Sequence, residues 1–496
     1  MVFYIINLGL QFFSRKIFLE YLGTEILGLN TAALNLLQFL NLAELGVSSA
    51  VGFSLYKPLH ENDKTTINEI VTLQGHLYRR IAYLIMIGAA ILMCFFPLIF
   101  DKISVPIWYA YGSFGVLLFS ALLGYFFNYR QIVLSANQQD YKILYSYKSV
   151  MLVKVIAQML AVRYLHNGYT WWLICEAMFA VIATATLTWM TKQSIPYLAN
   201  TRQSFSELNN KYKELTTKIK QLFFHKVAGF ALTQSSPIII YAYTSLTIVA
   251  LYGNYMIIIN GINVLIASFF NGLSAGIGNL IAEAKIEKIY SVFEELFSIR
   301  FAIVTSVCFT AYYQVQSFIR VWIGSEYLLT SSTVVLLICL LYVSLSRYSV
   351  DSFISGFGLY KDIYAPIIEA LVNIILSILL GYKWGLDGIL LGVLISQIII
   401  VKIWKPYFLF KNGLLGYLKK YIILVLKHFL CLALSTMGTL LILPVIQFSV
   451  RNEIITLLIN LLLSFSIFLS FIFLTLIIFK TGIIKFFRRI KTMYIN

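Results

Sequence analysis

Residues 26–56 read ILGLNTAALNLLQFLNLAELGVSSAVGFSLY, a run with one charged side chain, Glu44. As a continuous helix it would rise about 46 Å, against roughly 30 Å for the hydrocarbon core of a bilayer. Such a segment crosses a membrane only by tilting, bending or running on past it. Its polar residues point to a bend. Thr31, Asn35 and Gln38 share one helix face, whereas Asn41, Glu44 and Ser48 share another. A break near Asn41–Gly46 reconciles the two faces.

The rest of the chain repeats this pattern. About fourteen apolar runs are predicted to span, near 2–22, 26–56, 81–100, 107–134, 147–165, 169–190, 226–244, 248–281, 299–321, 331–357, 366–384, 388–410, 421–444 and 454–479. Only 12% of the 496 residues are charged and 60% are hydrophobic. A soluble domain carries roughly 25% charged residues, so an ordinary cytosolic enzyme, a disordered chain and a secreted disulfide scaffold are excluded. The class is an all-α polytopic membrane protein.

Lysine and arginine number 38 against 21 acids, and their placement assigns a side. Loops after even-numbered spans hold Lys57, Lys64, Arg79, Arg80 and seven residues between Lys192 and Lys226, and the tail adds Lys480, Lys485, Arg488, Arg489 and Lys491. The opposite loops hold only Lys102, Arg163, Arg320, Lys383 and Arg451. Positive charge stays inside, so both termini are expected in the cytoplasm. In this chemistry the excess of bases reads as topology rather than as a nucleic-acid surface. Trp108, Trp171, Trp172, Trp322 and Trp384 fall at outer ends and Trp189 and Trp404 at inner ends, where indoles settle in a bilayer. The first run has no basic lead and no small-residue cleavage site, which argues against a cleaved signal peptide.

Gly46-Val47-Ser48-Ser49-Ala50-Val51-Gly52 in the second span matches Gly272-Leu273-Ser274-Ala275-Gly276-Ile277-Gly278 in the eighth. Both spans are long and carry amides upstream, so the likeness suggests a parallel repeat. The expected organisation is an N-terminal six-helix bundle over 1–190, a basic cytoplasmic linker over 191–225, and a C-terminal six-helix bundle over 226–410. Residues 411–496 add two further transmembrane helices and a basic tail.

Polar side chains facing lipid are expensive, so stripes within spans mark packed interfaces or wet cavities. Asn7, Gln11, Ser14 and Arg15 align on the first span, and Ser344, Arg347, Asp351 and Ser355 on the tenth. Ser120, Gly124, Asn128, Gln131 and Ser135 align on the fourth, and Asn260, Asn263, Asn271 and Ser274 on the eighth. Amides and hydroxyls read first as helix–helix glue, at about 0.6–2 kcal/mol each. Buried bases read differently, because an unpaired guanidinium in hydrocarbon costs several kcal/mol. Arg15, Arg347 and Lys154 are therefore candidate ligands for an anion, with Gln11, Asn41, Asn260 and Asn263 beside them for polar groups. Arg347 and Asp351, four residues apart, also read as a structural pair on one face. Glu44 and Asp351 are the candidates for cation or proton coupling, and Glu44 alternatively caps the broken helix. Pro237, preceded by Thr233, Gln234, Ser235 and Ser236, is a candidate hinge and equally a static kink.

Bond-making chemistry has no counterpart. There is no GxxxxGK[ST] loop, the five histidines lack zinc spacing, and the five cysteines lie in apolar runs without CxxC spacing. Gly272–Gly276 matches GxSxG, but inside a long apolar helix rather than a strand-to-helix turn. No cofactor or metal is expected, and no enzymatic activity.

Tyr21-Leu22-Gly23-Thr24-Glu25-Ile26-Leu27-Gly28-Leu29-Asn30, continuing through Leu40-Asn41-Leu42-Ala43-Glu44-Leu45-Gly46-Val47-Ser48-Ser49-Ala50 to Leu55-Tyr56-Lys57-Pro58-Leu59, resembles one known family. It is the polysaccharide-transport branch (O-antigen and capsule repeat-unit flippases) of the multidrug/oligosaccharidyl-lipid/polysaccharide exporter superfamily. Leu251-Tyr252-Gly253-Asn254-Tyr255, Ile259-Asn260 and Gly278-Asn279-Leu280-Ile281 resemble the eighth-helix region of that family. Relatives usually carry a fuller first helix, which makes Met1 a candidate late start. The resemblance implies two pseudo-symmetric six-helix bundles in a V around a central cavity, plus two C-terminal helices. It implies a bacterial inner-membrane flippase that moves an undecaprenyl-diphosphate-linked oligosaccharide between leaflets by alternating access. Membrane lipid and a polysaccharide polymerase complex are the implied partners, and nucleic acid is not. The rival readings are a cation-coupled drug exporter of the same superfamily, which buried bases disfavour, and a membrane glycosyltransferase or polymerase, which the short outer loops disfavour.

Overall fold

The structure, a computed structural model, describes residues 2–44, 47–101, 103–217, 219, 236–237, 239–270, 277, 280–281, 285–359, 362, 364–446, 448 and 450–495. Its regular structure is entirely helical among these residues. Nine of the described helices are long and apolar enough to cross a membrane, and this is a multi-pass membrane protein. Two further helices, Val2–Leu40 and Ile286–Trp322, are 39 and 37 residues long. Large apolar side chains such as Leu441, Val445 and Leu462 lie on the outside, which a bilayer accounts for where water would not.

The chain divides into two compact units, Met1–Asn254 and Tyr255–Asn496. In the first, the Val2–Leu40 helix is interrupted at Gly23, whose φ of 82° and ψ of 172° are open to glycine. The helix then tightens into a 3-10 turn over Asn41–Glu44 before Val47–His60 resumes. That turn lies where the switch of polar faces calls for a bend. Among the described residues of this unit, two apolar cores stand out. One gathers Val51, Leu55, Ile67, Leu73, Val133 and Leu187, and the other Leu29, Ala33, Phe96, Ala110 and Phe114.

The segment after Ser194 is tied down as well as basic. Ser204 and Glu207 form a reciprocal capping box that starts the Phe205–Lys211 helix. Gln203, Lys211 and Tyr212 all donate to Glu69, near the start of the Lys64–Cys94 helix. Burial, together with that bond to Glu69, pushes the Tyr212 hydroxyl above its ordinary range. Hydrogen bonds from the Thr66 hydroxyl and amide hold the Asp63 carboxyl below its ordinary value and cap the Lys64–Cys94 helix.

In the second unit, Phe293, Phe353, Leu409 and Phe410 form one core, and Ala302, Cys431, Phe468 and Ile472 another. Two expected spans, 366–384 and 388–410, meet at Gly385 (φ 54°), the kink within Tyr364–Gln397. The expected tenth span is broken at Arg347 into Ser331–Ser346 and Tyr348–Gly356. The second copy of the repeat lies outside the described residues apart from Ile277, as do Asn271 and Thr233–Ser235.

Candidate functional site

Arg15 projects from the Val2–Leu40 helix toward Leu246–Phe270. Its Nε donates to Asn254 Oδ1 at 2.6 Å, and its Nη2 to the Ala250 carbonyl at 3.0 Å. Gly253 makes room, since a Cβ there would stand 2.7 Å from Nη2. Among the described residues Arg15 forms no ion pair. Its partners are dipoles only, which orient a guanidinium without neutralising it. Asn254 is fully buried and its Nδ2 has no partner among the described residues. Gln11 sits one helical turn before Arg15 and is exposed.

Lys154 is different. Its Nζ lies 2.7 Å from Glu176 Oε1, and Gln158 donates to the other carboxylate oxygen at 2.9 Å. Glu176 and Gln158 both escaped the sequence reading. A single acid within the 169–190 run carries no periodic signal that would pair it with a lysine on another helix.

Asn41 and Glu44 come together as the polar lip of a cavity of about 350 Å³. Tyr78 donates to Glu44 Oε1 at 2.7 Å and Tyr125 to Oε2 at 3.1 Å. Tyr125 also donates to Asn41 Oδ1 at 3.0 Å, and Ser48 donates to Glu44 at 3.1 Å. Gln74 lines the same cavity, its Oε1 buried and without a partner among the described residues. The fourth-span stripe contributes Gly124, Gln131 and Ser135 here, whereas Asn128 instead donates to Thr184 at 3.2 Å. Tyr78 and Gln74 were missed because the third helix starts at Lys64, well before its apolar run.

In the second unit, Arg347 Nε meets Asp351 Oδ2 at 3.0 Å, and Lys405 meets Asp351 Oδ1 at 2.7 Å. The break around Arg347 attracts further bases. Arg300 Nε donates to the Leu345 carbonyl at 3.1 Å, with its guanidinium over the rings of Phe270 and Tyr348. Lys402 donates to Ser346 Oγ at 2.5 Å and lies over Tyr342. Arg300 is buried and its Nη2 has no partner among the described residues. Four bases thus converge on one helix break beside Asp351, and only Arg347 among them stood out in the sequence. Arg300, Lys402 and Lys405 were not singled out there.

Asn263 accepts from Ser344 at 3.2 Å, while Asn260 on the same helix is exposed. Pro237 lines a cavity of about 400 Å³ with Leu36, Ile99, Asp101 and Tyr241. Arg15, Lys154 and the Asn41–Glu44 cavity belong to the first unit, and Arg347, Asp351 and Asn263 to the second. No group of histidine, cysteine, aspartate and glutamate among the described residues is arranged to hold a metal ion.

A chain with nine membrane-length helices among its described residues, and with bases and acids inside them, is a multi-pass membrane protein. Solved structures give that class a particular fold. The chain is similar to the lipid II flippase MurJ in an inward closed conformation, with a TM-score of 0.66 and 17% identity over 97% of this chain and 99% of that one. It is also similar to an inward-facing multidrug resistance MATE family transporter of the MOP superfamily, with a TM-score of 0.54 and 14% identity over 84% and 95%. At such identities the likeness is one of fold. No family model matches the sequence, and no curated protein matches it.

Proposed function

We propose that this chain is a flippase of the polysaccharide-transport branch, carrying an undecaprenyl-diphosphate-linked oligosaccharide repeat unit (O-antigen, capsule or exopolysaccharide) across the bacterial cytoplasmic membrane by alternating access. Arg15 carries the reading. A guanidinium within an apolar helix, held by an amide oxygen and a carbonyl and, among the described residues, by no carboxylate, keeps its charge for a mobile anion. At an effective dielectric of about 20, one phosphate charge 4 Å away gains roughly 4 kcal/mol from it. That is the right order to offset part of the desolvation of a diphosphate in mid-membrane.

Gln11, Asn41, Asn260 and Asn263 supply groups for sugar hydroxyls, Arg347 supplies further positive charge wherever its carboxylate partner releases it, and Lys154 holds Glu176 in a structural pair. Glu44 and Asp351 are the coupling acids, Pro237 the hinge. Both termini lie in the cytoplasm, and a polysaccharide polymerase complex receives the product. A lipid II flippase sharing the fold over nearly the whole chain supports a lipid-linked cargo. One observation favours a second reading, export of an organic cation: Glu44 stands in a cavity edged by the rings of Tyr78 and Tyr125, a setting that attracts cations.

Complementation of a flippase-null strain tests both. The wild-type chain restores surface glycan, Arg15→Ala abolishes it at normal membrane abundance, and Arg15→Lys restores part. Normal glycan display by Arg15→Ala overturns the proposal. Drug resistance without glycan selects the cation exporter.

A further inference from the structure

The second unit holds an open cavity of about 440 Å³ on the face that the lysine and arginine distribution assigns to the cytoplasm. It lies where the Ile286–Trp322, Leu418–Ile446 and Ile483–Ile495 helices approach one another. Lys420, Ile423, Leu424 and Lys427 line it at i, i+3, i+4 and i+7, a spacing that puts all four on one helix face. The two lysines are thus about 10 Å apart along the helix axis.

The charges in this cavity do not cancel. Lys485 is matched by Glu294 at 2.6 Å. Lys427 donates to the Phe479 carbonyl at 3.1 Å, and Lys420 lies over the Tyr417 ring. Neither is in an ion pair among the described residues, and Glu287 is the one other carboxylate in the lining. Tyr290 and Tyr417 stack at 4.3 Å between centroids and give the cavity a rigid wall.

Immediately beside the lysine face, Ile422, Leu426 and Phe429 are exposed and apolar. A ligand in the cavity would meet two ammonium groups without a carboxylate partner among the described residues, about 10 Å apart along one helix face, with a hydrocarbon-facing surface beside them. Lysines at span ends ordinarily snorkel to bulk headgroups without forming any site. What differs here is a formed recess with one lysine tethered by a carbonyl and the other by a ring. We propose that this recess binds the phosphate headgroup of an acidic phospholipid, its acyl chains running along the Ile422–Phe429 surface.

Native mass spectrometry of the full-length protein in detergent, with phosphatidylglycerol and phosphatidylcholine supplied together, tests this. A lysine near an anionic lipid surface contributes about 1 kcal/mol, or about fivefold. Wild type should retain phosphatidylglycerol preferentially. Lys420→Ala should weaken that preference about fivefold, and Lys420→Ala with Lys427→Ala about twenty-five-fold. Lys420→Arg with Lys427→Arg should keep it. Lys420 is exposed, so its single variant remains informative should the double variant fail to fold. Equal retention of the two lipids by wild type, or an unchanged preference in Lys420→Ala, overturns the proposal. So does displacement of the lipid by millimolar inorganic phosphate, which would make this a site for the free ion.

Discussion

Replacing Lys154 separates a structural cation from a substrate ligand. Its Nζ sits 2.7 Å from Glu176, with the two side chains 15% and 7% exposed. Removing one partner of a buried pair costs about 3–5 kcal/mol, because the other charge is left uncompensated. Lys154 retains some access to its surroundings, so Lys154→Met should fall at the lower end, about 3 kcal/mol. Adding Glu176→Gln removes the orphaned charge and leaves an amide oxygen to accept from Gln158, which also donates to the Trp172 carbonyl at 3.3 Å. The double variant should return to within about 1 kcal/mol of wild type, a coupling well above the noise of additive sites. Thermal unfolding of the detergent-solubilised protein ranks the variants, and surface glycan in a complemented strain reads their function. The geometry predicts that Lys154→Met melts early and that the double variant both melts and exports like wild type. A Lys154→Met protein as stable as wild type would refute the pairing argument. A stable double variant that exports nothing would return Lys154 to the substrate path.

Three further outcomes follow from named contacts. A Cβ on Gly28 would lie 2.2 Å from the Leu246 carbonyl; backbone cannot swing aside, so Gly28→Ala should lower stability by about 1–3 kcal/mol, visible as an earlier melt. At Gly253 the obstructing atom is the end of the flexible Arg15 side chain, so Gly253→Ala should fold normally yet displace the guanidinium, and glycan display should fall toward that of Arg15→Ala. Glu44→Gln keeps one acceptor oxygen, for Tyr78, and puts an NH2 donor toward Tyr125, whose hydroxyl can accept from it while donating to Asn41 Oδ1, and it removes the charge. Transport in membrane vesicles should then lose its dependence on an imposed ion gradient while the melting temperature holds, and unchanged gradient dependence would remove Glu44 from coupling.

The helical class and the breaks within helices were legible because they arise from local properties. Runs of apolar residues have to span, a change of polar face requires a bend, and glycine at 23 and 385 permits backbone that other residues resist. The partners of buried charges were not legible, for a physical reason. Lys154 and Glu176 lie on different helices, and the ladder from Tyr78 and Tyr125 to Glu44 joins residues 34 and 81 positions apart. No periodicity along one helix encodes such contacts. Arg347 and Asp351 were visible as a pair because four residues make one helical turn, whereas Lys405, which completes their triad from 54 positions away, was not.

This contrast bears on which charges are available for transport. A base neutralised by a neighbouring acid, as in Lys154–Glu176 or Arg347–Asp351–Lys405, offers a passing diphosphate little unless the acid is protonated or drawn off. A base held by dipoles alone offers its full charge in every state. Arg15 belongs to the second kind, and Arg300, whose recorded contacts are a carbonyl and two rings, resembles it. Alternating access needs both behaviours: a fixed charge to recruit the anion, and switchable pairs to let it go. Under the proposed flippase reading, Arg15 is therefore the base that holds the headgroup, and Arg347 and Lys405 are the bases whose charge Asp351 offsets.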